Sequence, residues 1–484
     1  MGVYMRFIRP GRIGEISLIG VVLLLASIWG GGYVASHPAW AAAFTFTGIQ
    51  ITWMLIAYGA IASVLPVWLL LAPRDYLSTF LKIGTIVGLA IGILIVSPEL
   101  RMPALTQFVD GTGPVWKGTL FPFLFITIAC GAVSGFHALI SSGTTPKLLD
   151  REPHARYIGY GGMLMESFVA IMAMVAASVI DPGVYFAMNS PAALVGSDPV
   201  TVAATISSWG FTVTPDVLIQ TAKDVGENTI LARAGGAPTL AVGIAHILHS
   251  VLPGENTMAF WYHFAILFEA LFILTAVDAG TRAGRFMLQD LLGSFVPALK
   301  KTDSWGANII GTGGCVALWG WLLYQGVIDP LGGINTLWPL FGISNQMLAG
   351  IALMLATVVL IKMQRQRYAW VTAFPAVWLL ICTVSAGLIK LFDSDPSMGF
   401  IALGRKYSDA LAAGQVIAPA KTVEQMQHVA FNAYTNATLT ALFLLVVLSI
   451  LFYSVKVGWG AWNKTRRTDK ETPFQPIPAG SPSV

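Results

Sequence analysis

Charge is what this sequence has least of. Only 11% of its 484 residues are Asp, Glu, Lys or Arg, against about 25% in an ordinary soluble domain. A soluble fold of this length needs charged surface in proportion to its area, so that class is excluded and a membrane protein remains. Cysteine is scarce as well. Cys130, Cys315 and Cys382 each sit inside an apolar run, with neither metal-ligand spacing nor paired flanking loops, and read as small packing residues. There is no G-x-x-x-x-G-K-[ST] segment, which argues against ATP-driven pumping by this chain, and no soluble domain, low-complexity tract or short-period repeat. No cofactor is called for. The formal net charge of +4 lies in short connections, where it reads as membrane orientation and implies no nucleic-acid partner. The start, "MGVYMRFIRPGRIGE", has arginines but no cleavage site after them, so Ile16 to Val34 is expected to be a retained span.

Apolar chain, by contrast, is abundant: 55% of residues are hydrophobic and the mean hydropathy is +0.71. Runs of about 20 apolar residues, enough to cross a bilayer core, occur near 13–34, 49–71, 79–97, 119–140, 158–180, 258–277, 306–326, 337–361, 368–390 and 434–456. The expectation is an all-α polytopic membrane protein with about ten transmembrane helices. Basic residues fall in alternate connections, among them Arg6 to Arg12, Arg74 with Lys82, Arg282 with Arg285, and Lys464 to Lys470. By the positive-inside rule these loops and both termini are cytoplasmic. That alternation requires the short run Pro238 to Leu252, framed by "RAGGAP" and "PGEN", not to cross alone. It is expected to be a re-entrant or broken helix, which a membrane tolerates only in protein or beside a wet cavity. The organisation is then a first membrane group over 1–180, an extracytoplasmic loop over 181–237, a second bundle over 238–460, and a polar, proline-rich cytoplasmic tail over 461–484 expected to be disordered.

Ionisable residues inside spans are costly and are functional candidates by default. Glu166 follows "GYGG", whose glycines permit close helix approach. Glu269 lies six residues after His263, about 120° round a helix, so the two need not share a ligand. Either glutamate could carry a proton or make a structural hydrogen bond. Asp278 is expected to pair with Arg282 one turn on. In "SGFHALISSGTTPKLLD", Ser141, Ser142, Thr144 and Thr145 offer hydroxyls, while Gly143 and Pro146 break helix geometry and free backbone amides for an anion. The alternative is an ordinary helix stop with Lys147 as an interfacial cation. His137, one turn inside, is either a core hydrogen bond or a proton site. His246, His249 and Glu255 invite a metal-dependent hydrolase reading but lack the H-E-x-x-H pattern. Asn335, Asn345 and Gln346 in "GGINTLWPLFGISNQMLAG" are a second candidate polar lining.

The stretches "ISSGTTPK", "IGYGGMLMES", "AGGAPTLAVG" and "FWYHFAILFEALFILTAVDAGTR" closely resemble the carbon starvation protein A family of bacterial inner-membrane transporters. The likeness runs nearly end to end. It implies proton-coupled uptake of peptides or pyruvate under nutrient limitation, and kinship with secondary transporters built from inverted five-helix repeats with broken helices. Under that resemblance the backbone at Gly235, Gly236 and Pro238 contacts substrate, and Ser141 to Thr145 and Asn345 line the site or its gate. Glu166, Glu269 or His137 handles the proton. Family members carry further spans before "RPGRIGE", including an interrupted helix that would pair with "GGAPTLAVG". A missing N-terminal segment is therefore an expected partner, and a truncated, non-transporting protein is the alternative reading.

Overall fold

The computed structural model describes residues 2–462 except Leu148, Glu255 and Asp303; the side chains of Lys147, Ile334, Asn335 and Thr336 lie outside the description too. The metal expectation for Glu255, the interfacial role of Lys147, the lining role of Asn335 and the 463–484 tail therefore fall outside the described residues. The described chain is helical throughout. Its first half runs α1 (Ile13–Ser36), α2 (Pro38–Phe44), α3 (Gly48–Val64), α4 (Leu71–Val96), α5 (Leu120–Thr127), α6 (Ala129–Ala132), α7 (Gly135–Gly143) and α8 (His154–Val179). Four short helices follow: α9 (Pro182–Asn189), α10 (Ala192–Val195), α11 (Pro199–Ser208) and α12 (Pro215–Asp224). The second half runs α13 (Gly236–Val251), α14 (Thr257–Gly293), α15 (Trp305–Ile328), α16 (Gly333–Lys362), α17 (Trp370–Phe392), α18 (Phe400–Ala412) and α19 (Val423–Trp462).

Among the described residues eight helices are long and apolar enough to cross a membrane, or nine if α2 and α3, bent by 60°, count as one span. The all-α polytopic architecture is as expected; the count is lower than ten because 119–140 is not continuous. That run breaks at Ile128 and again at Val133 and Ser134, giving α5, α6 and α7. Tertiary contact forces the second break. A side chain on Gly135 would run into the Asn345 carbonyl and the Ala349 amide, so α7 starts with its backbone pressed on α16. The 181–233 connection is no bare loop. Asp181, Asp198 and Thr214 each accept a bond from the first turn of the helix that follows, with proline next in sequence, the pairing of an N-cap with a pre-set φ that starts a helix.

α13 is 16 residues long, about 24 Å at 1.5 Å per residue and short of a 30 Å bilayer core. It is the centre of the largest apolar cluster, where its Val242, Ile244 and Ile247 meet residues of α4, α8, α9, α11 and α14. A smaller cluster unites α16, α17 and α19 through Met347, Leu380 and Val447.

Two basic pairs assigned to loops lie within helices. Arg282 and Arg285 are buried on α14, and Arg74 and Lys82 sit on α4. Arg282 donates to the carbonyls of Ala62 (2.7 Å) and Leu65 (2.9 Å), and Arg285 to that of Ser63 (2.7 Å). They close the C-terminal end of α3, where unpaired carbonyls and the dipole both favour a cation. Asp278, 1% exposed, is thereby left to other partners than Arg282: Arg74 at 3.1 Å and the Tyr58 hydroxyl at 2.9 Å.

A side chain on Gly243 of α13 would collide with the Ala176 carbonyl of α8. Gly243→Ala is expected to destabilise the protein by about 1–3 kcal/mol through overpacking, read as a lower unfolding midpoint in detergent. An unchanged midpoint would show that α13 is free to move off α8.

Candidate functional site

A cavity of about 1440 Å³ lies beside the larger apolar cluster, which contributes Phe186 and Leu240 to its lining. Its lining comes from α5, α6, α8, α9, the start of α13, α14, α16, α17, α18 and α19. Part of it is shaped by the glycines that precede α13. Gly235 has φ +133°, a conformation open in practice only to glycine. Its amide donates to Asn189 Oδ1 at 3.3 Å, Asn189 Nδ2 donates to Thr239 Oγ1 at 2.8 Å, and Thr239 Oγ1 donates back to the Gly235 carbonyl at 3.3 Å. This small ring of bonds presents Gly235, Gly236 and Ala237 to the cavity, at the helix end where free amides and the positive pole lie. Pro238 occupies the first turn but is not part of the lining.

Glu269 faces the same space from α14, half-buried, with no hydrogen bond or ion pair to any described residue. Three amines, Lys117, Lys390 and Lys406, and one further carboxylate, Asp395, complete its charged lining. Asp395, exposed at the rim, is held below the usual carboxylate range by the hydroxyl and amide of Ser397 and stays anionic near neutrality.

The other expected site residues lie apart. Glu166 meets Cys130 (Sγ to Oε1 3.6 Å) and His137 (Nδ1 to Oε1 4.0 Å), and one ligating atom from each residue falls within 4.8 Å of the other two. This trio could hold a soft divalent ion by donor chemistry; of its members only Cys130 lines the cavity. Ser141, Ser142, Thr144 and Thr145 do not line it. Their hydroxyls turn back to carbonyls of their own helix at Ala138, Leu139 and Ile140, the arrangement of a helix stop. Asn345 is also off the lining: 2% exposed, its Oδ1 accepts the Phe136 amide at 2.7 Å, and so restarts the broken helix at α7. Gln346 donates to the Phe125 carbonyl and accepts from Thr383. His263 is turned to the Ala259 carbonyl and shares nothing with Glu269. His249 is tied to Thr257 at 2.6 Å, while His246 faces a separate, smaller cleft.

A family model described as carbon starvation protein CstA matches residues 1–386. The chain belongs to this family. It is 64% identical over 484 residues to the peptide transporter CstA of Escherichia coli (strain K12), covering 99% of this chain and 69% of the relative. It is 62% identical over 507 residues to the pyruvate/proton symporter BtsT of the same organism, covering 100% of this chain and 70% of the relative. With the peptide transporter CstA of Helicobacter pylori (strain ATCC 700392 / 26695) the identity is 52% over 481 residues, 98% of this chain and 70% of the relative. No solved structure matches the chain.

Of the site residues expected from the sequence, Gly235, Gly236 and Glu269 line the cavity, and three other lining residues, Lys390, Cys130 and Asn189, were not among those expected. Lys390 closes the apolar run 368–390 and was given no role; the "LF" after it was the signal that the helix continues. Cys130 was set aside as packing. Asn189 lay in a presumed loop, and nothing local marks it.

Because Cys130 is half-buried on the cavity wall while Cys382 is 0% exposed, a small water-soluble maleimide is expected to modify Cys130 first, as read by mass spectrometry. Faster reaction at Cys382 would mean that the cavity is closed to solvent. Asn345→Leu leaves the Phe136 amide without its acceptor and is expected to cost about 1–3 kcal/mol, while Asn345→Asp, which keeps an oxygen there, is expected to cost less in the same unfolding assay.

Proposed function

We propose that this chain is a secondary transporter that imports peptides or pyruvate across the bacterial inner membrane, driven by protons, and that it is not an enzyme. The observation that carries this reading is the cavity onto which the glycine start of a short, broken-type helix and the carboxyl of Glu269, without a partner among the described residues, both open. Helix ends at mid-membrane depth are suited to substrate carboxylates, and an intramembrane carboxyl beside them to a coupling proton. At about 1440 Å³ the cavity exceeds the roughly 300–1,000 Å³ of most small-molecule sites, which leaves room for a short peptide. The names of the relatives, peptide transporter and pyruvate/proton symporter, support both substrate classes and the coupling ion.

In this reading Gly235 and Gly236 contact substrate and Glu269 takes and releases the proton. Glu166 and His137, paired with each other beyond the lining, act on the broken helix. Both termini are cytoplasmic, in keeping with the basic residues Arg6, Arg9 and Arg12 at one end and Lys464, Arg466 and Arg467 at the other.

The test is uptake of labelled pyruvate and of a labelled dipeptide by cells lacking their own carriers, with and without a protonophore. Protonophore-sensitive accumulation of intact substrate is expected; hydrolysed dipeptide with no accumulation would overturn the reading. Glu269→Gln is expected to abolish proton-driven accumulation while membrane insertion is unchanged, whereas Glu166→Gln retains it. Undiminished uptake by Glu269→Gln would remove the proton from that residue.

A further inference from the structure

Lys390 is an amine in an unusual place. It lies two residues from the end of α17, is 4% exposed, and lines the cavity. A buried charge is normally paired, because the loss of hydration is otherwise uncompensated. Here, among the described residues, the ammonium makes no hydrogen bond and no ion pair. Its close neighbours are two aromatic faces, Phe123 of α5 at 5.2 Å and Phe400 of α18 at 5.9 Å. Such faces tolerate a cation and leave its donors unused.

The acidic groups nearest in charge do not quench it. Asp393 and Asp395 act on Lys390 only at a distance. Asp393 accepts the Asp395 amide, and Asp395 accepts from Ser397. Glu269 lines the same cavity and makes no hydrogen bond or ion pair with any described residue, Lys390 included. Lys117 and Lys406 are exposed where they line the cavity, so water screens them and they can steer an anion without holding it. Lys390 is the one cavity amine that is both buried and unpaired among the described residues.

We infer that Lys390 is the carboxylate anchor of the cavity: it binds the group that an α-keto acid and a peptide C-terminus have in common. The inference rests on the transport reading for its substrate classes. Phe123 and Phe400 hold the ammonium in place and exclude water from one side of it, so an arriving carboxylate meets a preorganised partner in surroundings of low polarity. One residue then serves both substrate classes, and the rest of the cavity decides between a three-carbon acid and a peptide.

The test is binding to the purified chain in lipid nanodiscs, followed by the fluorescence of Trp116 and Trp338, which line the cavity. The probes are pyruvate against pyruvamide, and dialanine against its C-terminal amide. Wild type is expected to prefer each acid over its amide by about tenfold or more, as a charge-assisted bond provides. Lys390→Met is expected to bring the ratio close to one, and Lys390→Arg to restore most of it. A merely structural lysine would weaken acid and amide alike, so an unchanged ratio in Lys390→Met overturns the inference. If that variant does not fold, amidination of wild type with methyl acetimidate, which needs no reductant, decides instead: pyruvate, but not pyruvamide, is expected to protect Lys390, and absence of protection overturns it. Binding needs no gradient, so acid-selective binding without uptake would count against the transport reading and leave the anchor standing.

Discussion

Water cannot reach the backbone inside a bilayer, so every peptide group freed by a break in a helix has to be answered from within the protein. Here part of the answer is local, as where Ser134 caps α7 by accepting the His137 amide, and much of it comes from side chains on other helices. The Asn345 carbonyl oxygen takes the Phe136 amide where α7 restarts, Gln346 serves the Phe125 carbonyl, and Asn189 takes the Gly235 amide where α13 begins. Arg282 and Arg285 do the same for the last carbonyls of α3. A short or broken helix is stable here because its neighbours carry an amide or guanidinium at the matching depth.

That arrangement also explains where the cavity can exist. α13 is packed firmly into the larger apolar cluster by its body, while its first turn is held by Asn189 and Thr239 and left open on the other side. The α5 to α7 segment is pressed onto α16 through Gly135 in the same manner. Both interrupted elements contribute to the cavity, α5 and α6 from one and the first turn of α13 from the other, together with a few ionisable groups. The charges buried for structural purposes are separated from those on the wall. Asp278, Arg74 and Tyr58 bond to one another between α3, α4 and α14, whereas Glu269 and Lys390 face the cavity without partners among the described residues.

Much of the fold was legible because lipid imposes a simple rule on sequence. Most long apolar runs became helices, some of them well beyond the expected bounds, as in α14 (Thr257–Gly293) and α19 (Val423–Trp462), and the short run bracketed by glycines and a proline became a 16-residue helix that is too short to span. The run at 119–140 was misjudged because hydropathy measures composition and not continuity. Pro122, Gly131 and Gly135 were visible, but the contact with α16 that separates α6 from α7 lies more than two hundred residues away. The hydroxyls of Ser141 to Thr145 suited either a binding surface or a helix stop; in the structure they bond to the carbonyls of Ala138, Leu139 and Ile140.

By itself the sequence determined the membrane class, the positions of most helices, the family, and two parts of the cavity wall, the glycine pair at 235–236 and Glu269. These follow from hydropathy, from the conformational freedom of glycine and from the cost of charge in lipid, all of which act locally. Only the tertiary structure decided which polar groups share a space. Asp278 took Arg74 from α4 in preference to its own helical neighbour, Cys130 joined His137 and Glu166, and Lys390 came to lie against Phe123 from a segment over two hundred residues earlier. A side chain's partner is fixed by the packing of distant helices, and spacing along the chain carries no record of it.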